Sequence, residues 1–199
     1  MTEYHVLVEG YAHEGENGNF LASPTSVLLL SNGKKILMDP GADRQKLLES
    51  LNKLNLKTED IDLIFLTHYH PDHFLNIRLF PNIEIVDAET IWRDNAEEIA
   101  SNCKIEGTNI EVIKTPGHSP EHSSLIINAN EGKLCFSQDV FWWQDGEQKT
   151  DDYEAMVNYA DPFASDMNAL KESRKKLLEI ADWIIPGHGK KFKNNFKNS

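Results

Sequence analysis

The sequence predicts an α+β fold in which two packed β-sheets are flanked by helices. Short apolar segments typical of strands recur along the 199 residues, most of them in antiparallel groups. Each half of the chain closes with an amphipathic helix followed by one more strand. Hydrophobic residues make up 40% of the chain, an ordinary share for a globular domain with a buried core.

The first third of the chain is predicted to be antiparallel. A strand is expected at Tyr4–Val8, and a hairpin is expected from Thr25–Leu30 and Lys35–Met38 around an Asn-Gly pair that tolerates positive φ. The polar, glycine-bearing segment Gly10–Pro24 is predicted to be a long loop that is either mobile or functional, for example a flexible lid.

The middle of the chain alternates predicted helices and strands. Asp43 is expected to cap a helix whose leucines, spaced three and four apart, form one apolar face. The nearly unbroken apolar run Ile61–Leu66 is typical of a buried strand. A short strand at Ile83–Val86 and a helix over about Ala88–Ala100 are expected to follow.

The last part of the chain continues in the same way and completes a single predicted domain of residues 1–199. An amphipathic helix is expected from Met167 to Ala181, and the Lys/Asn-rich tail Lys190–Ser199 is expected to fray at its end. The predicted strands of this part are Ile110–Ile113, Ser123–Ile127, Lys133–Phe136 and Trp183–Ile185.

Composition limits the function and the location. The net charge of −12 argues against a general nucleic-acid binder, which needs a basic surface to neutralise phosphates. No apolar run approaches the ~18 residues of a membrane span, and the start of the chain does not resemble a secretory signal. Because Cys103 and Cys135 show no CxxC spacing, we expect a reduced, cytoplasmic protein.

Four side chains of metal-ligand type follow the apolar strand 61–66 directly. Strand alternation lets His68 and His70 point the same way, and Pro71 can start a helix whose first turn carries Asp72 and His73. Imidazole and carboxylate ligands suit a metal such as zinc. The ordinary alternative is a capped helix start with surface histidines. Three histidines and an aspartate within six residues after a buried strand make this alternative less favourable.

Three further ligand-type residues follow later strands. His118 ends Thr-Pro-Gly-His after the strand 110–113, Asp139 follows the strand 133–136, and His188 lies in Pro-Gly-His-Gly after the last strand. Each is a weak indication alone, since a turn with an exposed histidine is common. Together with the first cluster they predict one metal site.

In this order and spacing, these seven residues, with an early Asp39, resemble the five motifs of the metallo-β-lactamase superfamily. The resemblance implies a four-layer αββα sandwich, with two mixed β-sheets flanked by helices and the metal site at one edge. It also implies two metals: His68, His70 and His118 bind one, Asp72, His73 and His188 bind the other, and Asp139 bridges both.

An aspartate bridge is found in the glyoxalase II, lactonase and ribonuclease-like branches, whereas class B β-lactamases commonly have cysteine there. Four segments resemble more closely the metallo-β-lactamase domain-containing protein 1 branch, which lacks the additional C-terminal domain of glyoxalase II: Val8–Ala12, Asn76–Pro81, Thr115–His118 and Ala181–Gly189.

The expected function is a dinuclear metal hydrolase, in which a metal-bridging hydroxide attacks an ester, thioester, lactone or phosphodiester. Asp72 and Asp139 are the expected catalytic residues, because they can ligate the metals and orient the hydroxide. The cofactors are two divalent metal ions, zinc first, although iron and manganese suit the same ligands. Ribonuclease activity and promiscuous β-lactamase activity are alternatives, and a non-hydrolytic, iron-binding dioxygenase is the alternative from another class.

Several neighbouring residues keep two interpretations open. Asp39 is either a turn carboxylate or a partner that fixes a ligand histidine. For His122 a polar turn is favoured over a substrate contact or proton donor at the rim, and for His13 an exposed loop position is favoured over a flap. Trp142 and Trp143 form either a hydrophobic substrate wall or packing in the core or a dimer interface.

The remaining expectations concern partners and the surface. The expected partner is a small-molecule substrate; long nucleic acid is disfavoured, no membrane is expected, and base rates favour a symmetric homodimer. The Lys171–Lys176 cluster, with Arg174, is predicted to be the solvated face of the late helix.

Overall fold

The computed structural model describes residues 2–100 and 104–197. Within them the helices are α1 (Arg44–Lys53), α2 (Pro71–Phe74), α3 (Tyr153–Asn158) and α4 (Met167–Ile180), with 3₁₀ turns at Thr58–Asp60 and Leu75–Leu79. The strands are β1 (Glu3–Val8), β2 (Tyr11–Glu14), β3 (Phe20–Ser23), β4 (Ser26–Ser31), β5 (Lys34–Met38), β6 (Leu63–Phe65), β7 (Glu84–Val86), β8 (Thr90–Arg93), β9 (Ala96–Ile99), β10 (Glu111–Lys114), β11 (Ser123–Ala129), β12 (Gly132–Trp142), β13 (Trp183–His188) and β14 (Phe192–Lys193).

Two mixed sheets form the centre of the fold. In the first sheet the strand order is β1-β4-β5-β6-β7-β8-β9, and in the second it is β10-β11-β12-β13-β14. The pairs β5–β6, β6–β7 and β12–β13 are parallel, and the other neighbours are antiparallel. Strands β2 and β3 form a separate hairpin.

The layers follow the order helix, sheet, sheet, helix. Phe65 of the first sheet and Phe136 of the second belong to one buried cluster between the sheets. On the outer face of the first sheet, Leu47 and Leu51 of α1 are buried, and Leu177 of α4 is buried on the outer face of the second. The predicted αββα sandwich is therefore confirmed.

Two local predictions of the first half are confirmed by their contacts. The Asp43 carboxylate accepts a hydrogen bond from the backbone N–H of Lys46 at 3.0 Å and caps α1. The turn between β4 and β5 has positive φ at Asn32 (51°) and Gly33 (83°), as the Asn-Gly pair predicts.

Two predictions in the same half are wrong. The expected helix over Ala88–Ala100 is the hairpin β8–β9, in which Trp92 pairs with Ile85 of β7 and the turn contains Asp94 at a φ of 55°. Aromatic and β-branched residues suit this pleated surface better than a helix. The expected loop Gly10–Pro24 is largely the hairpin β2–β3.

Three features of the second half differ from the prediction. Strand β12 continues to Trp142, and α3, capped by Asp152, was not predicted. The tail is partly packed, since β14 lies in it and the buried Asn194 donates to the carbonyls of Leu178 and Ala181.

The remaining sequence expectations have mixed outcomes. Arg174 is fully buried rather than solvated and donates to three backbone carbonyls. Cys135 is a buried thiol of the core, and Cys103 lies outside the described residues. Among the described residues there is no helix of the length and apolarity needed to cross a membrane.

Candidate metal centre

Both sheets contribute side chains to one edge of the sandwich. His68 and His70 follow β6 of the first sheet, and α2 carries the next two predicted ligands. In the second sheet, His118 lies in the turn between β10 and β11, Asp139 in β12 and His188 at the end of β13. The structure brings all seven predicted ligands together in two groups, His68-His70-His118-Asp139 and Asp72-His73-His188, each with ligand atoms within 4.8 Å of one another.

The junction after β6 forms as its sequence predicts. His70 is still extended, with φ −74° and ψ 138°, and Pro71 begins α2 directly after it. The first turn of α2 therefore presents Asp72, whose side chain is 29% exposed, and the fully buried His73.

Asp139 lies between the two groups. Its Oδ2 is 3.2 Å from His118 Nε2 and 3.9 Å from His68 Nε2. Its Oδ1 is 3.4 Å from His73 Nε2 and 3.7 Å from His188 Nε2. Each carboxylate oxygen thus faces a different group of histidines.

The backbone around Asp139 is irregular. The β12–β13 register shifts on both sides of Gln138, which has a φ of 45°. Such an irregularity bends a strand and redirects its side chains. Gly187 of β13 lies so close that a Cβ there would be 1.8 Å from Asp139 Oδ1.

Other protein groups contact the Nδ1 atoms of four of the ligand histidines, and for His68 the partner is the Thr67 hydroxyl at 3.1 Å. His73 Nδ1 is 2.8 Å from Asp39 Oδ2, and Asp39 Oδ1 accepts from the backbone N–H of Thr67 at 2.9 Å. His188 Nδ1 is 2.9 Å from the Tyr11 carbonyl oxygen, so Nδ1 donates there. Asp39 thus contacts a ligand histidine, the second of its two interpretations, and these histidines are left with Nε2 facing the centre.

The residue that contacts His118 Nδ1 was not predicted. His118 Nδ1 is 2.6 Å from Oδ2 of Asp161, which lies between α3 and α4. Asp161 is 43 positions along the chain from His118 and follows no apolar strand, so no local pattern indicated it.

The unsatisfied atoms of the site show whether the residues suit a cation. His68 Nε2, His73 Nε2 and Asp139 Oδ1 are buried and have no hydrogen-bond partner within residues 2–100 and 104–197. Buried polar atoms are rarely left unpaired. All three point to a shared centre, and imidazole with carboxylate is the donor set of zinc, iron and manganese. The residues therefore fit divalent cations.

Electrostatics favour the metal-binding state of Asp139 and of His68, whereas neighbouring carboxylates raise the pKa values of His73, His118 and His188 in spite of burial. Burial raises the pKa of Asp139, but the neighbouring His73 and His188 outweigh burial and hold the pKa well below its usual range. Burial lowers the pKa of His68 well below its ordinary value, and the nearby His73 lowers it further. An ionised carboxylate and a neutral imidazole are the states that bind a metal.

A cavity of about 260 Å³ opens onto these ligands. Its apolar wall includes Trp142, Phe163 and, from the hairpin β2–β3, Phe20. Phe20 and Phe163 are 50% and 60% exposed, and the Trp142 and Phe163 rings lie 5.6 Å apart. Trp143, in contrast, is buried in the core against Phe192, so only one tryptophan of the pair lines the cavity.

Two further histidines, His13 and His122, lie outside the cavity lining. His122 precedes β11 in a turn but is fully buried, with its ring 4.8 Å from that of His68, so the rim contact considered for it is wrong. Burial lowers the pKa of His122 to about 3. His13 lies in β2 and bonds to the exposed Asp145 at 2.9 Å.

Comparison with known proteins gives the family. The family profile of the metallo-β-lactamase superfamily matches residues 21–99. The metallo-β-lactamase domain-containing protein 1 of Xenopus laevis is 30% identical over 199 residues, which cover 95% of this chain and 80% of the relative. The chain belongs to the metallo-β-lactamase superfamily. This membership identifies it as a metal-dependent hydrolase.

Two further relatives of this superfamily member are slightly less similar to it. The hydroxyacylglutathione hydrolase GloC of Haemophilus influenzae is 28% identical, over 77% of the chain and 79% of the relative. The chain spans only 59% of the length of the human metallo-β-lactamase domain-containing protein 1, to which it is 29% identical.

Solved structures show the same fold at lower identity. A metallo-β-lactamase-fold protein of Thermotoga maritima has a TM-score of 0.69 and 18% identity, with 96% of this chain and 99% of that chain covered. AidC, a dizinc quorum-quenching lactonase, has a TM-score of 0.62 and 20% identity, with 85% and 74% covered. These likenesses support the fold of this metallo-β-lactamase superfamily member.

Proposed function

We propose that this chain is a dinuclear metal hydrolase that cleaves a small ester, thioester or lactone with an apolar body. The position of Asp139 carries the proposal, because its two oxygens face separate histidine groups at 3.2 Å and 3.4 Å. A single-metal site would need only one of these groups. The proposed cations are zinc first, with iron and manganese as alternatives.

Seven residues would hold the two cations. His68, His70 and His118 form one set, Asp72, His73 and His188 form the other, and Asp139 serves both. When bound, such cations lower the pKa of water and polarise a carbonyl oxygen.

Asp72 and Asp139 are the proposed catalytic carboxylates. Asp72 lines the cavity, and its Oδ2 is 3.3 Å from His188 Nε2. Burial raises the pKa of Asp72, but the hydrogen bond to His188 and the charges of His73 and His188 together outweigh burial and keep the pKa below its usual value. An ionised Asp72 can accept a hydrogen bond from the attacking water and orient it towards the substrate.

The wall of the cavity and the charge of the chain suggest the substrate. Phe20, Trp142 and Phe163 offer aromatic surface directly beside the ligands, which suits an acyl or aryl group. A net charge of −12 repels polyanions such as long RNA. The names of GloC, a hydroxyacylglutathione hydrolase, and AidC, a lactonase, agree with acyl substrates.

Zinc titration of the metal-free protein tests the two-cation part. We expect two equivalents for the wild type and for Asp145→Asn, a matched exposed aspartate outside the cavity lining. Asp139→Asn should lose at least one equivalent. A wild type saturated by one equivalent would contradict the proposal.

A substrate panel tests the reaction class. The zinc-loaded enzyme is assayed with esters, thioesters, lactones, phosphodiesters, β-lactams and single-stranded RNA, while oxygen uptake is recorded. We expect turnover of acyl substrates without oxygen uptake. Cleavage of RNA with no turnover of acyl substrates, or oxygen uptake without hydrolysis, would exclude the proposed substrate class.

A further inference from the structure

The turn between α3 and α4 lies against His118. Asp161 Oδ2 is 2.6 Å from His118 Nδ1, and the two residues are 6% and 2% exposed. The backbone N–H of Ser165 donates to the His118 carbonyl at 3.0 Å, and that of Asp166 donates to the Gly117 carbonyl at 2.9 Å. The turn therefore holds both the backbone and the ring of His118.

The carboxylate of Asp161 is itself fixed. Its Oδ1 accepts from the backbone N–H of Phe163 at 2.9 Å, which leaves Oδ2 for His118. With Oδ2 of Asp161 at Nδ1, the other ring nitrogen of His118, Nε2, faces the cation group and lies 3.2 Å from Asp139 Oδ2.

His118 is held differently from His188. His188 belongs to β13, and its backbone is held by strand pairing. His118 instead follows Gly117, which has a φ of 133° and packs so tightly that a Cβ would lie 2.1 Å from Leu170 N of α4. The position of His118 is thus set by contacts with the turn and with α4 rather than by strand pairing.

We propose that Asp161 is a positioning residue that fixes the tautomer and orientation of His118 and thereby sets the affinity of the His68-His70-His118 group for its cation. Asp39 has the matching role for His73 in the other group. Such partners of ligand histidines typically contribute about 10- to 100-fold to metal affinity. This inference rests on the proposed two-cation function.

The test is the stepwise zinc affinity of purified Asp161→Asn, measured by competition with a chromophoric chelator. An asparagine of the same shape accepts only an uncharged, weaker hydrogen bond from Nδ1. We expect one of the two zinc equivalents to bind about tenfold more weakly and the other to stay within about twofold of wild type. In Asp39→Asn, which changes the partner of His73, the other equivalent should weaken.

Asp166→Asn is the matched control. It makes the same chemical change in the same turn, and an asparagine side chain can still accept from the backbone N–H groups of Asn168 and Ala169. Its two zinc affinities should equal those of the wild type. A ¹H–¹⁵N spectrum of His118 reports the tautomer, and the downfield Nδ1 proton should shift in Asp161→Asn and not in Asp166→Asn.

Three outcomes would contradict the inference. In the first, Asp161→Asn binds both zinc equivalents with wild-type affinity. In the second, it binds both equivalents more weakly and to the same extent. In the third, the His118 Nδ1 resonance of Asp161→Asn is unchanged. If Asp161→Asn does not fold, Asp161→Glu keeps the charge and moves the oxygen, and it should show the same selective loss. Unfolding of both variants would make Asp161 a stability residue and overturn the inference. A wild type that binds one zinc would contradict the proposed function instead.

Discussion

At the scale of single residues, the metal centre depends on a glycine, Gly187, as well as on its ligands. Gly187 brings the backbone of β13 against the Asp139 carboxylate, and a Cβ would meet Oδ1 at 1.8 Å. No rotation of a flexible neighbour relieves this contact, because Asp139 is buried and faces histidines on both sides. Close approach of backbone to a functional group is a common reason for glycine.

We therefore expect Gly187→Ala to displace Asp139. The free energy of unfolding should fall by about 1–3 kcal/mol from overpacking, and zinc binding should drop below two equivalents. Gly146→Ala is the control: it has a φ of 84° but open space around it, so it should lose some stability and keep both zinc equivalents. Equal zinc binding by the two variants would contradict the expectation.

Strand ends made the ligands predictable, whereas the partner of His118 was not predictable. His68, His118 and His188 each follow or end an apolar segment, and that pattern can be read locally. Asp161 has no such context, and its role exists only because α3 and α4 fold back on the turn that carries His118. The predicted exposure of Arg174 was wrong for the same reason. The local sequence does not show that a charged helix residue will donate to backbone carbonyls in the core.

At the scale of elements, three separate segments form the apolar wall, and Trp142 comes from β12. Strand alternation directs Phe20 and Ala22 of β3 into the cavity and Leu21 to the other face of the hairpin. Phe163 comes from the turn that also carries Asp161. Phe20 and Phe163 thus lie outside the ligand-bearing strands, whereas Trp142 lies on the same strand as Asp139.

Phe20→Ala and Phe163→Ala should each raise KM for substrates with long acyl chains. Loss of an aromatic contact costs about 1–3 kcal/mol, so the rise should be about tenfold, with kcat nearly unchanged and little effect on acetyl substrates. Leu21→Ala removes a similarly exposed side chain, 41% against 50% for Phe20, and should leave KM unchanged. A KM change independent of chain length would contradict this role.

The elements themselves were predictable where pattern and environment agreed. The buried strand β6 and the helix α1 have strong local patterns, and both formed. The segment 88–100 has alanines and glutamates that favour a helix, but Ile91 and Trp92 pair with β7 at the edge of the first sheet. Pairing with a partner that is distant in the chain overrides local propensity, which a local pattern cannot show.

At the scale of the whole molecule, the cation groups join the two sheets. The ligands after β6 and on α2 come from the first sheet, and the ligands on β12 and β13 come from the second. Asp139 of β12 faces His68 and His73 of the other half at 3.9 Å and 3.4 Å. Bound cations would therefore fasten the two sheets at this edge, and unfolding would release them.

Chelation should consequently lower the melting temperature of the whole chain. At a free zinc concentration about 100-fold above Kd, each site adds about 2.7 kcal/mol, and for a chain of this size each kcal/mol corresponds to about 2–4 °C. For two sites we expect EDTA to lower Tm by about 10–20 °C in the wild type and in Asp145→Asn, and by clearly less in Asp139→Asn, which binds fewer cations. The measurement is a thermal melt followed by circular dichroism, with the metal content of each sample determined in parallel. A wild type that loses both cations to EDTA and keeps its Tm would show that the cations do not fasten the sheets.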